Sequence, residues 1–270
     1  SKAADVVSLD QIVDAPVGVS VKVDTSNQSL SLDISRRSLI YTELLNAGVV
    51  RGLDVNQALA TRLTSQGAVE DGAIYGWTSG FGSNARQKGD AALGVSGFSS
   101  SNWGDVLGAD RKMGNATVGL FVSTLGSTVT GRSNSDRART TSTMGGVYGL
   151  TDLGEVRFSG ALAIGQSDTR VSRTSNGVGV SGSADSSDWL AQVGVSAPKA
   201  LASEDGGVIP SAELLVIGQN LKDTREESTA FQRGVKVKNP SGTTSVSKVG
   251  FEAFKKVTLA GKATRIAAGV

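Results

Sequence analysis

Histidine and cysteine are both absent from the chain, so any chemistry must come from its 25 carboxylates, its 27 cations, and its hydroxyls and amides. Imidazole bases, thiol nucleophiles, disulfides and the commonest zinc ligands are removed together. Asp110 and Arg111 are adjacent, but neighbours in a strand point to opposite faces, which predicts a structural pair near a turn and not one reactive site. Gly177-Val-Gly-Val-Ser-Gly182 has the letters of a dinucleotide fingerprint. It lies in a Ser/Gly-rich stretch with no helix behind it to meet a phosphate, and is expected to be a flexible loop. No spacing of Asp and Glu points to hydrolysis by a carboxylate pair. The expectation is therefore a protein that is not an enzyme and holds neither cofactor nor metal. A net charge of +2 gives no case for nucleic acid or another polyanion as partner.

The elements that would position side chains are more informative. From Glu155 to Asp168, Val156, Phe158, Leu162 and Ile164 share one face, while Arg157, Ser159, Ala161, Ala163 and Ser167 share the other. That is a strand with one apolar face and one small, polar face. Similar alternation recurs at about 74–81, 103–112, 116–130, 140–151, 187–197, 208–223, 244–256 and 262–270, which makes nine strands. Short breaks such as Thr151-Asp152-Leu153-Gly154 alternate with long polar ones at 130–139, 170–186 and 224–243. Loops sorted by length onto two rims are the layout of a membrane-spanning β-barrel, and a β-sandwich has no reason to sort them so. The mean hydropathy of -0.05 fits either a soluble chain or a barrel, because only alternate barrel residues face lipid. No run of about 18 apolar residues is present, so any crossing is by strands. Glycine is abundant at 35 residues and proline scarce at 4, which suits turns and close-packed strands. No basic, apolar leader precedes Ser1, and a secretory signal is expected to be absent or already removed.

Ahead of the strands, Val19, Val21 and Val23 alternate, turn through Thr25-Ser26-Asn27-Gln28, and continue into Leu30, Leu32 and Ile34, a hairpin or the last rung of a stacked β structure. A boundary is placed near Ser35. From Ser38 to about Leu63 apolar residues recur at helical spacing, with Gly48 and Gly52 as expected interruptions and Asp54 as the N-cap of a second piece. These residues form either two short helices in a connector or a helix threaded through a barrel lumen. The division is 1–35, 36–73 and a barrel over 74–270.

Three strand motifs, in order, carry a family resemblance: Gly76-Trp77-Thr-Ser-Gly-Phe-Gly-Ser83, Leu107-Gly-Ala-Asp-Arg111 and Ala116-Thr-Val-Gly-Leu120. Together with Asn56-Gln57-Ala58 in the preceding helical segment and Ile209-Pro-Ser-Ala-Glu213 later, they resemble the translocator β-barrel domain of the autotransporters of type V secretion, over roughly residues 54–270. The resemblance implies an all-β, antiparallel transmembrane barrel of twelve strands after a short helix, in the outer membrane of a Gram-negative bacterium. It implies a pore that exports and anchors an N-terminal passenger, with residues 1–35 as the passenger's stub. Its implied partners are outer-membrane lipid and lipopolysaccharide, its own passenger, the barrel assembly machinery and periplasmic chaperones. With nine strands and an end at Ala-Ala-Gly-Val270 in place of a terminal aromatic strand, the expectation is a chain shortened at its C-terminal end. The competing reading is a soluble or surface-exposed β-barrel adhesin whose long loops bind other molecules.

In the barrel reading the polar partner of each strand faces the lumen: Arg157 and Ser159, Asp188 and Gln192, Glu213, Lys248 and Glu252, and Arg265. With Asn56, Gln57 and Arg62 of the helix these are the candidate pore contacts, and Arg62 is expected to face Glu213 or Glu252. Tyr75, Trp77, Phe81, Trp103, Tyr148 and Trp189 are the candidate interfacial aromatics. Arg132, Arg137 and Arg139 beside Asp136 form a solvated loop cluster or a contact for lipopolysaccharide phosphates. Some family members cut their passenger at an asparagine near the helix; Asn46 and Asn56 hold such positions, without a surrounding motif for self-cleavage.

Overall fold

The computed structural model describes residues 19–24, 29–34, 40–64, 70–89, 97–131, 136–175, 178–198, 201–202, 206–228, 236–237, 241–259 and 262–269. A hairpin of β1 (Val19–Asp24) and β2 (Ser29–Ile34) comes first, in the register Val19 to Ile34 through Asp24 to Ser29. Helix α1 (Ile40–Thr64) follows. Then come β3 (Ile74–Gln87), β4 (Phe98–Met113), β5 (Ala116–Gly131), β6 (Arg137–Leu153), β7 (Val156–Ser175) and β8 (Val178–Ser196). Short β9 (Leu201–Ala202) precedes β10 (Gly206–Leu221), and β11 (Thr224–Ser228) and β12 (Lys236–Val237) precede β13 (Ser241–Leu259) and β14 (Lys262–Gly269). Among the described residues, nine strands pair antiparallel along the path β14-β13-β10-β8-β7-β6-β5-β4-β3. One face of this sheet wraps α1, which touches β3, β4, β5, β6, β8, β10 and β13.

The two faces follow from the alternation. Leu120, Leu162, Ile164, Val193 and Val249 stand outward and exposed, Ile164 at 75%. Val106, Leu125, Ala161, Ala163, Leu190 and Leu215 point inward and are buried against the helix. A soluble protein would leave this inverted, because burying about 100 Å² of such side chain against another element is worth about 2.5 kcal/mol in water. The outward apolar band is stable only against a nonpolar solvent.

Two expectations about local structure are corrected. The segment 170–186 is not a long loop: β7 and β8 continue through it in register, from Arg170 opposite Ser183 to Ser175 opposite Val178. Its Ser, Thr and Gly content hid an alternation in which Val171, Val180 and Ala184 are the buried members. Val178 to Gly182 of the glycine-rich motif are therefore strand, while Gly177 lies outside the described residues. Nor do Gly48 and Gly52 interrupt the helix, which is continuous over 25 residues. They are small because the sheet comes close: a Cβ on Gly52 would meet the Ile217 side chain at 2.8 Å, and one on Gly48 would collide with the Gln219 amide. Asp54, expected as an N-cap, consequently sits inside the helix. No helix among the described residues is long and apolar enough to cross a membrane.

Tight turns at one rim fix the hairpins. Gly114 and Gly154 take φ of 62° and 66°, left-handed values that let two residues join β4 to β5 and β6 to β7. Within the strands, six aromatic rings stand directly opposite a glycine: Trp77 and Gly108, Phe81 and Gly104, Trp103 and Gly126, Tyr148 and Gly119, Phe121 and Gly146, Trp189 and Gly218. In each pair a Cβ on the glycine would clash with the ring. The rings lie across the sheet and cover backbone that glycine would otherwise leave bare.

Candidate functional site

Four groups on α1 reach different strands and hold the helix across the concave face. Near its C-terminal end, Arg62 grips Asp110 with two parallel bonds, Nε to Oδ2 at 2.7 Å and Nη2 to Oδ1 at 2.8 Å. Such fork-to-fork geometry is the strongest form of carboxylate recognition open to a side chain. Asp110 is buried and also accepts from the Tyr148 hydroxyl at 2.6 Å. That hydroxyl accepts from Trp77 Nε1 at 2.5 Å, and the two rings meet edge to face at 5.9 Å. Helix, β4, β6 and β3 are thus joined by one chain of donors.

One turn earlier, Asn56 Nδ2 donates to Glu213 Oε1 at 2.9 Å. Lys248 meets the same carboxylate at 3.2 Å from the neighbouring strand, and Gln192 Nε2 donates to its other oxygen at 3.5 Å. Asp54 Oδ2 accepts from Ser83 at 2.7 Å and from Asn102 at 3.3 Å, which ties α1 to β3 and β4. In the middle of the helix, Arg51 is buried with Nη2 3.9 Å from Asp188 Oδ2. Asp188 also accepts from Ser167 at 2.5 Å and Ser186 at 3.0 Å. With its amide turned to match its neighbours, Gln219 accepts from Arg51 Nη2 at 3.0 Å and donates to the Leu44 carbonyl at 3.2 Å. Burying these charges is tolerable because each has a partner; the arrangement fixes register more than it adds stability.

The expected contacts are placed as follows. Asn56, Glu213 and Lys248 come together in one cluster. Arg62 does not face Glu213 or Glu252: its helical position is turned toward β4, and Asp110 is its partner. Gln57 has its side chain exposed, since a residue beside Asn56 lies a quarter turn round the helix. Arg157 pairs with Asp152 across the β6 to β7 turn, Nε to Oδ1 at 2.6 Å. Arg157 and Glu252 both line a 410 Å³ cavity beside the C-terminal half of α1, together with Asn56, Leu63 and Glu213. The side chain of Arg265 lies outside the described residues, as does Arg132.

Four of the six candidate interfacial aromatics are on the other face. Tyr75, Trp77 and Phe81 alternate inward along β3, and Tyr148 is buried, so none of them joins an outer girdle. Only Trp103 and Trp189 lie on the outer face, Trp103 at 65% exposure. Asp110, Arg51 and Asp54 were missed as site residues. Asp110 was legible by parity: with Leu107 and Ala109 outward, Asp110 must point in.

The comparisons agree with this geometry. Residues 76–270 match a family model described as the autotransporter beta-domain. Among solved structures, the chain is similar to the translocator domain of the autotransporter NalP from Neisseria meningitidis, with 18% identity, 86% of this chain and 77% of that chain covered, and a TM-score of 0.64. It is also similar to the beta domain of the Bordetella autotransporter BrkA, with 16% identity, coverage of 73% and 76%, and a TM-score of 0.52. No curated protein sequence matches the chain.

Proposed function

We infer the function from one premise: the chain belongs to the autotransporter beta-domain family, and its barrel is the translocator module of an exported protein. The site is the outer membrane of a Gram-negative cell, where the outward apolar band is solvated by lipid. Residues 1–35 are the end of the passenger, 36–73 the segment that carries the chain into the lumen, and 74–270 the barrel. The observation that supports this most is α1 itself, a single helix whose amino end lies among Phe98, Val129, Val171 and Leu221 and whose carboxyl end lies among Tyr148 and Leu150. It therefore runs from the rim of longer connections to the rim of tight turns, and the chain that precedes it leaves on the long-loop side. Placed with tight turns in the periplasm, that exit is the cell exterior.

The pins at Arg51, Asp54, Asn56 and Arg62 hold the helix where an exported passenger's trailing segment comes to rest, and they are assigned no reaction chemistry. Lipid, lipopolysaccharide and the passenger are the partners of the mature barrel. Periplasmic chaperones and the barrel assembly machinery are its partners before insertion. The test is an epitope fused ahead of Ser1 and produced, with an export signal, in a Gram-negative host. The expected result is an epitope digested when protease is added to intact cells. An epitope that inserts with the membrane fraction but is cut only after the outer membrane is opened would overturn the reading.

A further inference from the structure

Beyond the apolar band, toward the rim of longer connections, the outer face of the sheet carries three arginines that the helix and lumen do not use. Arg139 and Arg170 are direct partners across β6 and β7, and Arg137 lies opposite Ser172 one pair further on. Like charges placed opposite each other in a ladder are destabilising. Among the described residues no ion pair joins any of the three to a carboxylate. All three side chains are exposed.

They line an open cavity of 560 Å³ with Ser172, Ser181, Ser183 and Glu227. Three guanidinium groups against one carboxylate leave two uncompensated positive charges, and the serine hydroxyls add neutral donors around them. Nearer the band on the same face, Asp168 and Asp185 are also direct partners, and Asp185 is met by Lys222 at 3.5 Å. The basic row is thus the outermost charged layer and faces away from the apolar side chains. Arg170 lies six residues past Ile164 along β7, which sets it on the headgroup side of the band.

From this geometry we propose that Arg137, Arg139 and Arg170 form a binding site for the phosphate of an outer-leaflet lipid headgroup. The site rests on the membrane reading given above. Guanidinium forks are suited to phosphate oxygens, and repulsion between Arg139 and Arg170 is relieved only when an anion sits between them. A lipid supplies that anion where free phosphate at cellular concentration does not, because its acyl chains lie along Ile164 and Trp189 just below and hold the headgroup in place.

The test uses the whole chain refolded into phosphatidylcholine vesicles doped with a bisphosphorylated glycolipid or with its dephosphorylated counterpart, with retained glycolipid counted by native mass spectrometry. The wild type should keep the phosphorylated form and not the other, and Arg139→Gln with Arg170→Gln should lower retention roughly 30-fold, about tenfold or less per lost charge. Arg139→Lys with Arg170→Lys should keep most of it, which separates lost charge from lost folding. Equal retention by wild type and glutamine variant, both inserted, overturns the site alone. Complete displacement by millimolar inorganic phosphate overturns the assignment to a lipid. Failure of the wild type to insert into either vesicle overturns the membrane reading and the site with it.

Discussion

The inner and outer faces of the sheet use the same device for opposite ends. On both, an aromatic ring is laid across a glycine on the next strand: Trp77, Phe81, Phe121 and Tyr148 inside, Trp103 and Trp189 outside. Inside, the rings are part of a polar circuit, since Trp77 donates to Tyr148, Tyr148 to Asp110, and Asp110 receives Arg62. Outside, Trp103 and Trp189 have volume to contribute and no such circuit among the described residues. The difference teaches that ring-over-glycine packing straightens the strands by itself, while specificity for the helix comes from charge placed behind it. A face that must hold one particular helix needs directional bonds; a face that meets lipid needs only bulk.

The largest effect expected is from breaking the circuit where it meets the helix. Arg62→Ala leaves Asp110 buried without its cation, and should lower unfolding stability by about 3 kcal/mol or more, read from denaturant unfolding in detergent. Pairing it with Asp110→Asn should recover much of the loss; no recovery would mean that the helix is held chiefly by its apolar contacts. Next comes overpacking inside: Gly119→Ala drives a methyl into the Tyr148 ring and should cost about 1–3 kcal/mol, because the ring is trapped between β3, β5 and the Asp110 bond. The smallest effect is the matching change outside. Gly126→Ala meets Trp103 in the same way, but that ring is free to swing into lipid, and the loss should be about 1 kcal/mol. Equal losses at Gly119 and Gly126 would erase the distinction between the two faces.

Much of this was readable in the residues. The alternation from Val156 to Ile164 gave both the strand and its lipid face, because a period of two is set by backbone geometry and survives any partner. Glu213 and Asn56 could be chosen as site residues for their polarity at inward positions, but their being partners depends on helix rotation, which no strand pattern encodes. The same ignorance of rotation misassigned Arg62. Gly48 and Gly52 misled because propensity treats glycine as a breaker, whereas here the sheet's proximity requires it. Trp77 and Tyr148 misled in turn: counting aromatics suggests a girdle, and only parity against Ile74 and Val147 reveals that they face inward.

The central claim, that the Leu162 and Ile164 face meets lipid while the Ala161 and Ala163 face meets the helix, can be measured directly because the chain has no cysteine. Single cysteines at 161, 162, 163 and 164, each carrying a spin label in the vesicle-inserted protein, would be compared for relaxation by oxygen, which concentrates in lipid, and by a water-soluble nickel chelate. The account predicts that labels at 162 and 164 respond to oxygen and not to nickel, while those at 161 and 163 are immobile and respond weakly to both. Labels at 162 and 164 relaxed by nickel as strongly as by oxygen would contradict it.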